Sequence, residues 1–566
     1  MPSTMTDTEV RAWRQRLNDA DRLWKLKGYA EDSPVMRKVT KYLDAYRGMR
    51  PEFSDLGVEA VDDDLIQTNV FYATVNVLLA SLFARDPQCD VIASSPEASD
   101  SARAQENLIN HLVRSPKLRH KRELNRTLFD ATLMNFGFLI HGYTPGGEKA
   151  RKGKLLDAFD AARADFPFMR RAAPWDVRVD PLAEMFDPDV AMWFSYDFYL
   201  PLSVVKDHPA LIYRDDLKPT RVMKMRQSLE KPTDEERLVH LRMIYDKSER
   251  KRFVLSPGSA KPLMEPEDWP IPWKSLPYTL LQLNPVPGDP FGTTYSEQIL
   301  PIQVELNRAL FTVNQLSQSI RRITFIDKAS LDEQELRKLS NLALIEVLQT
   351  NGDPKQAVFQ TQLGGVPQEL LVYINFLIGQ IREILGVSEM ERGQRMNVET
   401  AAEVGQVASG AATQRGRNQG PWEDFLSEAL CVFGEALQHA PFQPMSVPVL
   451  GAADADAAYE TVAPSDIAGE FVYRVRPGST LPRNPAADAQ KEIALTEALK
   501  PFGQFVNMKQ RAIDTVLAFD KSPASQLQEG QPPPQPGMQE MMTDGNAGVQ
   551  PGVVSLLRQG QAGGAR

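Results

Sequence analysis

Apolar residues recur at every third or fourth position across residues 295–322, a period that predicts one buried face on a long α-helix. At about 1.5 Å per residue this helix spans about 40 Å. A second run of the same period covers residues 367–387 and begins with Pro367 and Glu369, residue types that suit a first helical turn. The positions predicted to pack the two helices are Ile299, Leu306, Leu310, Val313, Leu370, Ile374, Leu377 and Ile381.

Further apolar residues lie beside these lines, Leu300, Val304 and Phe311 on the first helix and Tyr373 and Phe376 on the second. Each helix therefore has two apolar faces, which suits a wall packed on neighbours from both sides. A helical hairpin in the core of an ordinary domain would show the same periodicity. Periodicity alone leaves both interpretations open.

The segment between the two helices, residues 323–366, has the pattern of a small α/β unit. It predicts a strand at 323–326, a short helix at 331–339 and a strand at 344–348. An Asn351-Gly352 turn follows, and then a third strand near residues 357–359. A small α/β knob is therefore expected on the end of the helical pair.

A charged segment, residues 388–400, follows the second helix. Residues 401–440 then have a helical pattern that contains several glycines and Pro421, so we expect a long helix bent between residues 416 and 421. The charged segment carries both signs of charge in a flexible composition. Its polar residues are Glu389, Glu391, Arg392, Arg395, Asn397 and Glu399.

The rest of the chain alternates helical and strand patterns, so the predicted fold class is α+β and mainly helical. In the N-terminal part, residues 1–294, the predicted helices include a strongly apolar one at Asn69–Phe83 and another at Ser99–Arg114. A proline-rich connector at 268–284 leads into the first long helix. Residues 441–521 predict a connector, one strand and a helical region. Residues 522–566 are rich in Gln, Pro, Gly and Met, and we expect them to be disordered.

The composition is that of a globular protein, with 42% hydrophobic and 24% charged residues among 566. The net charge of −10 argues against a protein that binds nucleic acid tightly over its whole surface. The two cysteines exclude a disulfide framework and suit a reducing cytoplasm. We find neither a secretory signal nor an apolar run of about 18 residues, so no membrane partner is expected.

The sequence contains none of the metal-binding, phosphate-binding or nucleophile motifs that we considered. The six histidines have no His-x-x-x-His spacing, and neither a P-loop nor a Gly-x-Ser-x-Gly elbow occurs. We therefore predict no catalytic, cofactor-binding or metal-binding residue and no enzymatic activity. The basic run at 117–126 is interpreted as a solvated helix face, with a contact to DNA or to an acidic partner as the alternative.

The order of these elements resembles the portal protein of tailed bacteriophages. The resemblance rests on NPVPGDPFGTTYSEQILPIQVELNR at 284–308 and LGVSEMERGQRMNVETAAEV at 385–404, with weaker matches at 69–88 and 173–183. The run Glu-Thr-Ala-Ala-Glu at 399–403 departs from the commoner Thr-Ala-Thr-Glu pattern of that family. The last 120 or so residues carry no motif of the family.

The resemblance implies a portal-type fold. In it residues 1–294 form the wing, 295–322 and 367–387 the stem helices, and 323–366 the clip. The channel (tunnel) loop is 388–400, a long kinked helix of wing and crown is 401–440, the crown is 441–521, and the tail is 522–566. The clip residues implied to face partners are Asp327, Lys328, Glu333, Arg337, Asn351 and Lys355.

The function implied is a homo-oligomeric ring of about twelve copies at one capsid vertex. Double-stranded DNA passes through its channel without sequence specificity during packaging and ejection. The implied partners are the major capsid protein, the large terminase and head-tail adaptor or tail proteins. The implied location is the virion, after assembly in the host cytoplasm.

Two other functions stay open at this point. A non-portal head assembly or scaffold protein would usually be long, polar and helical, without a clip inserted between two helices. A nucleic-acid-processing enzyme on a helical scaffold would need a site motif, which the sequence does not supply.

Overall fold

The computed structural model describes residues 5–27, 36–48, 68–143, 167–208, 211–213, 217, 219–222, 237–257, 259, 261–319, 321–326, 358–363, 366–387, 401–448, 459–482 and 485–499. About 51% of the described residues are helical and about 22% lie in strands. The predicted α+β class is therefore confirmed. The described chain forms two compact units, one that extends to residue 482 and one that holds residues 485–499.

The helices of the first unit are separated by strands rather than grouped. In chain order they are α1 (Asp7–Lys27), α2 (Met36–Arg47), α3 (Val70–Leu82), α4 (Ser99–Arg114), α5 (His120–Met134), α6 (Leu202–Asp207), α7 (Tyr295–Ser319), α8 (Gln368–Leu385) and α9 (Ala401–His439). The second unit contains α10 (Pro485–Leu499).

The strands are mostly short, and most lie between α3 and α7. In chain order they are β1 (Cys89–Ala93), β2 (Phe136–Tyr143), β3 (Pro167–Ala172), β4 (Val177–Val179), β5 (Trp193–Pro201), β6 (Arg221–Val222), β7 (Arg237–Asp246), β8 (Lys251–Leu255), β9 (Met264–Asp268), β10 (Tyr278–Gln282), β11 (Arg321–Ile326), β12 (Val358–Leu363), β13 (Met445–Pro448), β14 (Tyr459–Val462) and β15 (Phe471–Val475).

The largest sheet has six antiparallel strands in the order β4-β5-β7-β8-β9, with β6 paired to β7. A three-stranded sheet, β10-β2-β3, lies under α5 and α9, and its central strand β2 is buried along its whole length. The remaining strands form the pairs β1-β15, β11-β12 and β13-β14. Neighbouring strands in all of these sheets are antiparallel.

Helix α1 packs its apolar face on the six-stranded sheet. The ring of Trp13 lies 5.9 Å from that of Trp193 and 5.4 Å from that of Phe253, both in edge contacts. Further along, Trp24 is fully buried and its indole Nε1 donates to the carbonyl of Pro174 at 3.0 Å. Aromatic side chains of this size dominate core energetics, so α1 is an integral part of the core.

Charged side chains join α1 to the sheet beneath this apolar contact. Arg242 donates from Nε to Asp197 Oδ1 at 2.5 Å and from Nη2 to Oδ2 at 3.0 Å. Its Nη1 reaches Asp21 of α1 at 3.2 Å, and Arg178 Nε donates to the same carboxylate at 2.7 Å. Asp197 and Arg242 face each other across β5 and β7. The network is buried and alternates in sign, so each charge has a partner.

The first compact unit continues past residue 441, at which the predicted C-terminal region begins. Strand β15 pairs with β1, with Val475 opposite Cys89, and the Tyr473 hydroxyl lies 3.3 Å from Gln105 Nε2. Long-range strand pairing therefore joins residues 459–482 to the N-terminal part of the chain.

Several predicted boundaries need correction. The first long helix ends at Ser319 rather than at Arg322, because Arg321 is already in strand β11. The 268–284 segment, predicted as an extended connector, contains strand β10. Strands β13 and β14 lie where only a connector was predicted. The predicted long helix at 401–440 is present as α9, which runs through Pro421, and its expected bend between residues 416 and 421 stays a prediction.

Candidate subunit interface

Helices α7 and α8 form an antiparallel hairpin, called here the helical hairpin. At one end, strands β11 and β12 pair antiparallel, with Arg321 opposite Leu363, so they connect the end of α7 to the start of α8. At the other end, the start of α7 and the end of α8 both contact Asn418. The two helices also contact each other along their length. The structure thus brings the two predicted packing runs together in one unit.

The residues predicted to pack these helices all lie on the inner side of the helical hairpin. Five of them are buried in the core of the first unit, and three are half-buried against it. The buried ones are Ile299, Leu306, Ile374, Leu377 and Ile381, and the half-buried ones are Leu310, Val313 and Leu370. They pack within this chain, so packing of these residues between subunits stays a prediction.

The outer side of α8 carries large apolar side chains that remain 40–62% exposed. Leu371 is 46% exposed, Val372 62%, Tyr373 40% and Phe376 58%. Val372 and Phe376 are one helical turn apart and therefore form a single stripe. A contiguous exposed apolar stripe of this kind marks an interaction surface more often than a chance exposure. We call these four residues the α8 stripe.

The outer side of α7 is apolar as well, but less exposed. Leu300, Val304 and Phe311 follow one another at helical spacing, and all three are half-buried. The helical hairpin therefore has two apolar flanks. The flank on α7 is half-buried, and the flank on α8 is exposed. Such a unit can meet a copy of itself through two different surfaces, which is the requirement for a ring.

A buried polar junction holds the base of the helical hairpin. The Tyr295 hydroxyl donates to Asn418 Oδ1 at 2.6 Å, and Asn418 Nδ2 donates to the Leu385 carbonyl at 3.4 Å. Burial raises the pKa of Tyr295, although Arg417 and the hydrogen bonds oppose the shift. A neutral tyrosine is therefore maintained as donor, and α7, α8 and α9 meet at one point.

The segment that enters α7 is held by Asn135, which lies between the end of α5 and the start of β2. Asn135 Nδ2 donates to the carbonyls of Asn284 at 3.1 Å and Phe291 at 2.9 Å, and its Oδ1 accepts from Asn284 N at 2.7 Å. Ser296 Oγ donates to the Leu133 carbonyl at 2.8 Å. The segment 284–292, part of the motif singled out in the sequence, is therefore fixed by residues about 150 positions earlier.

Gly292 is expected to be the least replaceable glycine of this entry segment. Its φ is +60°, and a β-carbon there would collide with Asn135 Nδ2 and the Asn284 carbonyl oxygen. We expect Gly292→Ala to lower the free energy of unfolding by about 3 kcal/mol through backbone strain and overpacking. The thermal unfolding midpoint measures the effect.

Gly288 supplies the matched control for this substitution. Its φ is +81°, but a β-carbon there meets no atom within 4 Å. Gly288→Ala should therefore lower the free energy of unfolding only through backbone strain, by about 1 kcal/mol. Equal losses for the two variants would contradict a close contact at Gly292.

Two predicted groups of functional residues lie outside the described residues. These are the channel-loop residues Glu389, Glu391, Arg392, Arg395, Asn397 and Glu399, and the clip residues Asp327, Lys328, Glu333, Arg337, Asn351 and Lys355. Within the described ranges, no group of three or more His, Cys, Asp or Glu side chains is arranged to hold a metal ion. No helix among the described residues is long and apolar enough to cross a membrane.

Part of this surface was not predicted from the sequence. The prediction placed Tyr373 and Phe376 on a second face of α8 and did not include Leu371 and Val372, which are also exposed. Their signal was present, because residues 370–374 are nearly all apolar and exceed what one buried face requires. Asn135 carried no signal, since its partners are distant in sequence.

Comparison with protein-family models gives no match for this chain, and comparison with curated protein sequences gives none either. The function is therefore inferred from the chain's own residues and geometry. The helical hairpin with its α8 stripe is the described feature that bears most directly on it.

Proposed function

We propose that this chain is a portal subunit of a tailed bacteriophage, which assembles into a ring of about twelve copies at one capsid vertex. The ring is the channel through which the genome enters during packaging and leaves during ejection. The supporting sequence features are the motifs at 284–308 and 385–404 and the order of elements around them. In this function the chain performs no catalysis, and the motor is a separate terminase.

The α8 stripe is the observation on which this proposal depends. A monomeric soluble protein rarely leaves four large apolar side chains exposed together on one helix. A neighbouring copy that presents the half-buried apolar side of α7 to the α8 stripe would cover them. This contact is heterologous, since two different surfaces meet, and repeated contacts of this type close into a ring when the rotation per subunit allows it.

The remaining parts of the proposal follow from the resemblance. Residues 1–294 serve as the wing, the helical hairpin as the stem, and residues 323–366 as the clip that meets terminase and later adaptor or tail proteins. Residues 388–400 line the channel, where mixed charges contact passing DNA without holding it. The major capsid protein surrounds the ring in the virion.

Electron microscopy of the purified full chain tests the proposal. Class averages viewed along the particle axis should show a ring of about twelve subunits around an open channel. Mass photometry of the same sample should give one species of matching mass. Compact particles without a channel at every protein concentration would contradict the proposal and favour a non-portal head assembly protein.

A further inference from the structure

The corner between α4 and α5 is a strongly basic surface of the described chain. Between residues 114 and 126 there are six basic residues and one acidic residue, a local charge of +5 with His120 neutral, in a chain with a net charge of −10. All six cations are exposed. We call this group the basic corner, and its members are Arg114, Lys117, Arg119, Lys121, Arg122 and Arg126.

Buried residues of the same segment hold the basic corner in place. Leu118 and His120 are buried, and the His120 ring lies edge-on to Phe433 with 5.0 Å between ring centroids. Because these side chains point into the core, the cations between them point outward. Arg122 and Arg126 are one turn apart on α5 and share one face of the helix.

The acidic residues nearby do not balance the cations of the basic corner. Asp86 lies 3.3 Å from Lys121 Nζ, and the buried Glu123 lies 3.4 Å from Arg122 and 3.7 Å from Arg126. Lys117 and Arg119 form no ion pair with any residue in the described ranges. Two carboxylates therefore form ion pairs with three of the six cations, and an excess of positive charge remains at the surface.

The composition of the basic corner favours a nucleic acid over a protein partner. Protein interfaces depend on exposed aromatic or apolar anchors, and the two leucines of this segment, Leu118 and Leu124, are both buried. Four of the six cations are arginines, whose planar forks match phosphate oxygens. Duplex DNA presents one negative charge per about 1.7 Å of its axis.

We propose that the basic corner binds the phosphate backbone of duplex DNA without reading its sequence. The site shares no residue with the segment 388–400 to which a channel role is assigned above. The opposite end of α5 contacts the start of α7 through the Leu133 carbonyl, and α5 is about 20 Å long. The proposal goes beyond the portal function and does not depend on it.

Closed circular duplex DNA is the probe that tests this site, because it cannot thread through a ring. Binding of the purified full chain is measured by gel mobility shift from about 50 to about 200 mM salt. The test variant is Arg119→Gln, Arg122→Gln and Arg126→Gln combined. Its affinity should fall at least about tenfold, and the salt slope should fall by about 0.9 for each phosphate that the variant no longer neutralises.

The matched control removes the same charge from exposed positions elsewhere, Arg11→Gln, Arg22→Gln and Arg47→Gln combined. Its affinity for circular DNA should equal that of the unmodified chain. No binding of circular DNA at about 50 mM salt, or equal losses in both triple variants, would overturn the proposal. Tighter binding of polyglutamate than of DNA at equal charge concentration would overturn it too and indicate an acidic protein partner.

Ring assembly separates this proposal from the portal function. The test variant should form the same oligomer as the unmodified chain by electron microscopy, since the basic corner is not part of the α8 stripe. Circular DNA binding without rings would leave this proposal standing and contradict the portal function. Rings that bind no circular DNA would support the portal function and contradict this proposal.

Discussion

Replacing Val372 and Phe376 together by aspartate is expected to convert the proposed ring into monomers. Both side chains are more than half exposed within the chain, so in the proposed ring they are anchors of the subunit contact. Removing a central interface anchor costs about 2 kcal/mol or more of binding free energy. Removing two anchors should therefore raise the dissociation constant of each subunit contact by at least about 100-fold. Sedimentation velocity and electron microscopy measure the shift from ring to monomer.

The same variant should fold normally, because the two side chains bury little area within the subunit. Exposed surface substitutions usually change the free energy of unfolding by no more than about 0.5 kcal/mol. Asn375→Asp is the matched control, since it adds a charge to an exposed position of the same helix without removing an apolar group. A variant that still forms rings would show that the α8 stripe is not the subunit contact.

Replacing Arg242 by methionine is expected to be the most destabilising single change in the N-terminal part of the chain. The side chains of Arg242 and Asp197 are each only 5% exposed. Without the guanidinium, Asp197 keeps only His240, whose Nε2 lies 3.0 Å away, and Asp21 loses one of its two cations. Breaking a buried pair in this way costs about 3–5 kcal/mol. Chemical denaturation followed by tryptophan fluorescence measures the loss.

The double variant Asp197→Asn with Arg242→Met distinguishes a lost ion pair from lost packing. Removing both charges should restore a large part of the stability, because no buried carboxylate is then left unpaired. If the double variant is as unstable as Arg242→Met alone, the loss comes from the shape of the arginine side chain and not from its charge.

The same pair predicts a pH dependence with a definite sign. Burial alone would raise the pKa of Asp197, but the charges and hydrogen bonds of Arg242 and His240 outweigh it and hold the pKa below its usual range. The resulting stabilisation is present above the ordinary aspartate pKa of about 3.9 and is lost as the pH falls toward the folded-state pKa. The double variant should lack this component of acid destabilisation.

Local sequence patterns were sufficient for the helices with strong periodicity. The helix predicted at Ser99–Arg114 has those bounds in the structure, and α7 and α8 differ from their predicted ranges by three residues or fewer. The spacing of apolar residues and the residue types at helix ends involve positions within one or two turns of each other. A helix of this kind can therefore be predicted from the local sequence. The apolar excess on α8 was visible for the same reason.

Elements whose stability comes from distant partners were harder to predict. Strand β10 follows three prolines within ten residues, which favoured a connector, yet β2 supplies a complete ladder for it, from Tyr278 opposite Ile140 to Gln282 opposite Phe136. Pro421 costs a helix interior about 3 kcal/mol. Helix α9 nevertheless continues through it, because Trp422, Phe425 and Leu426 immediately after it are buried.

The amino-acid order alone was enough to specify the α+β class, the two long helices with two apolar faces each, and a positive segment at 117–126. These features depend on residues close together in the chain. Tertiary structure decided which apolar face was buried within the chain and which was left exposed on α8. It also joined Arg242 to Asp21, 221 positions apart, and Asn135 to Asn284, 149 positions apart. Such contacts form only when the folded core brings distant segments together. They therefore cannot be predicted from the pattern of neighbouring residues.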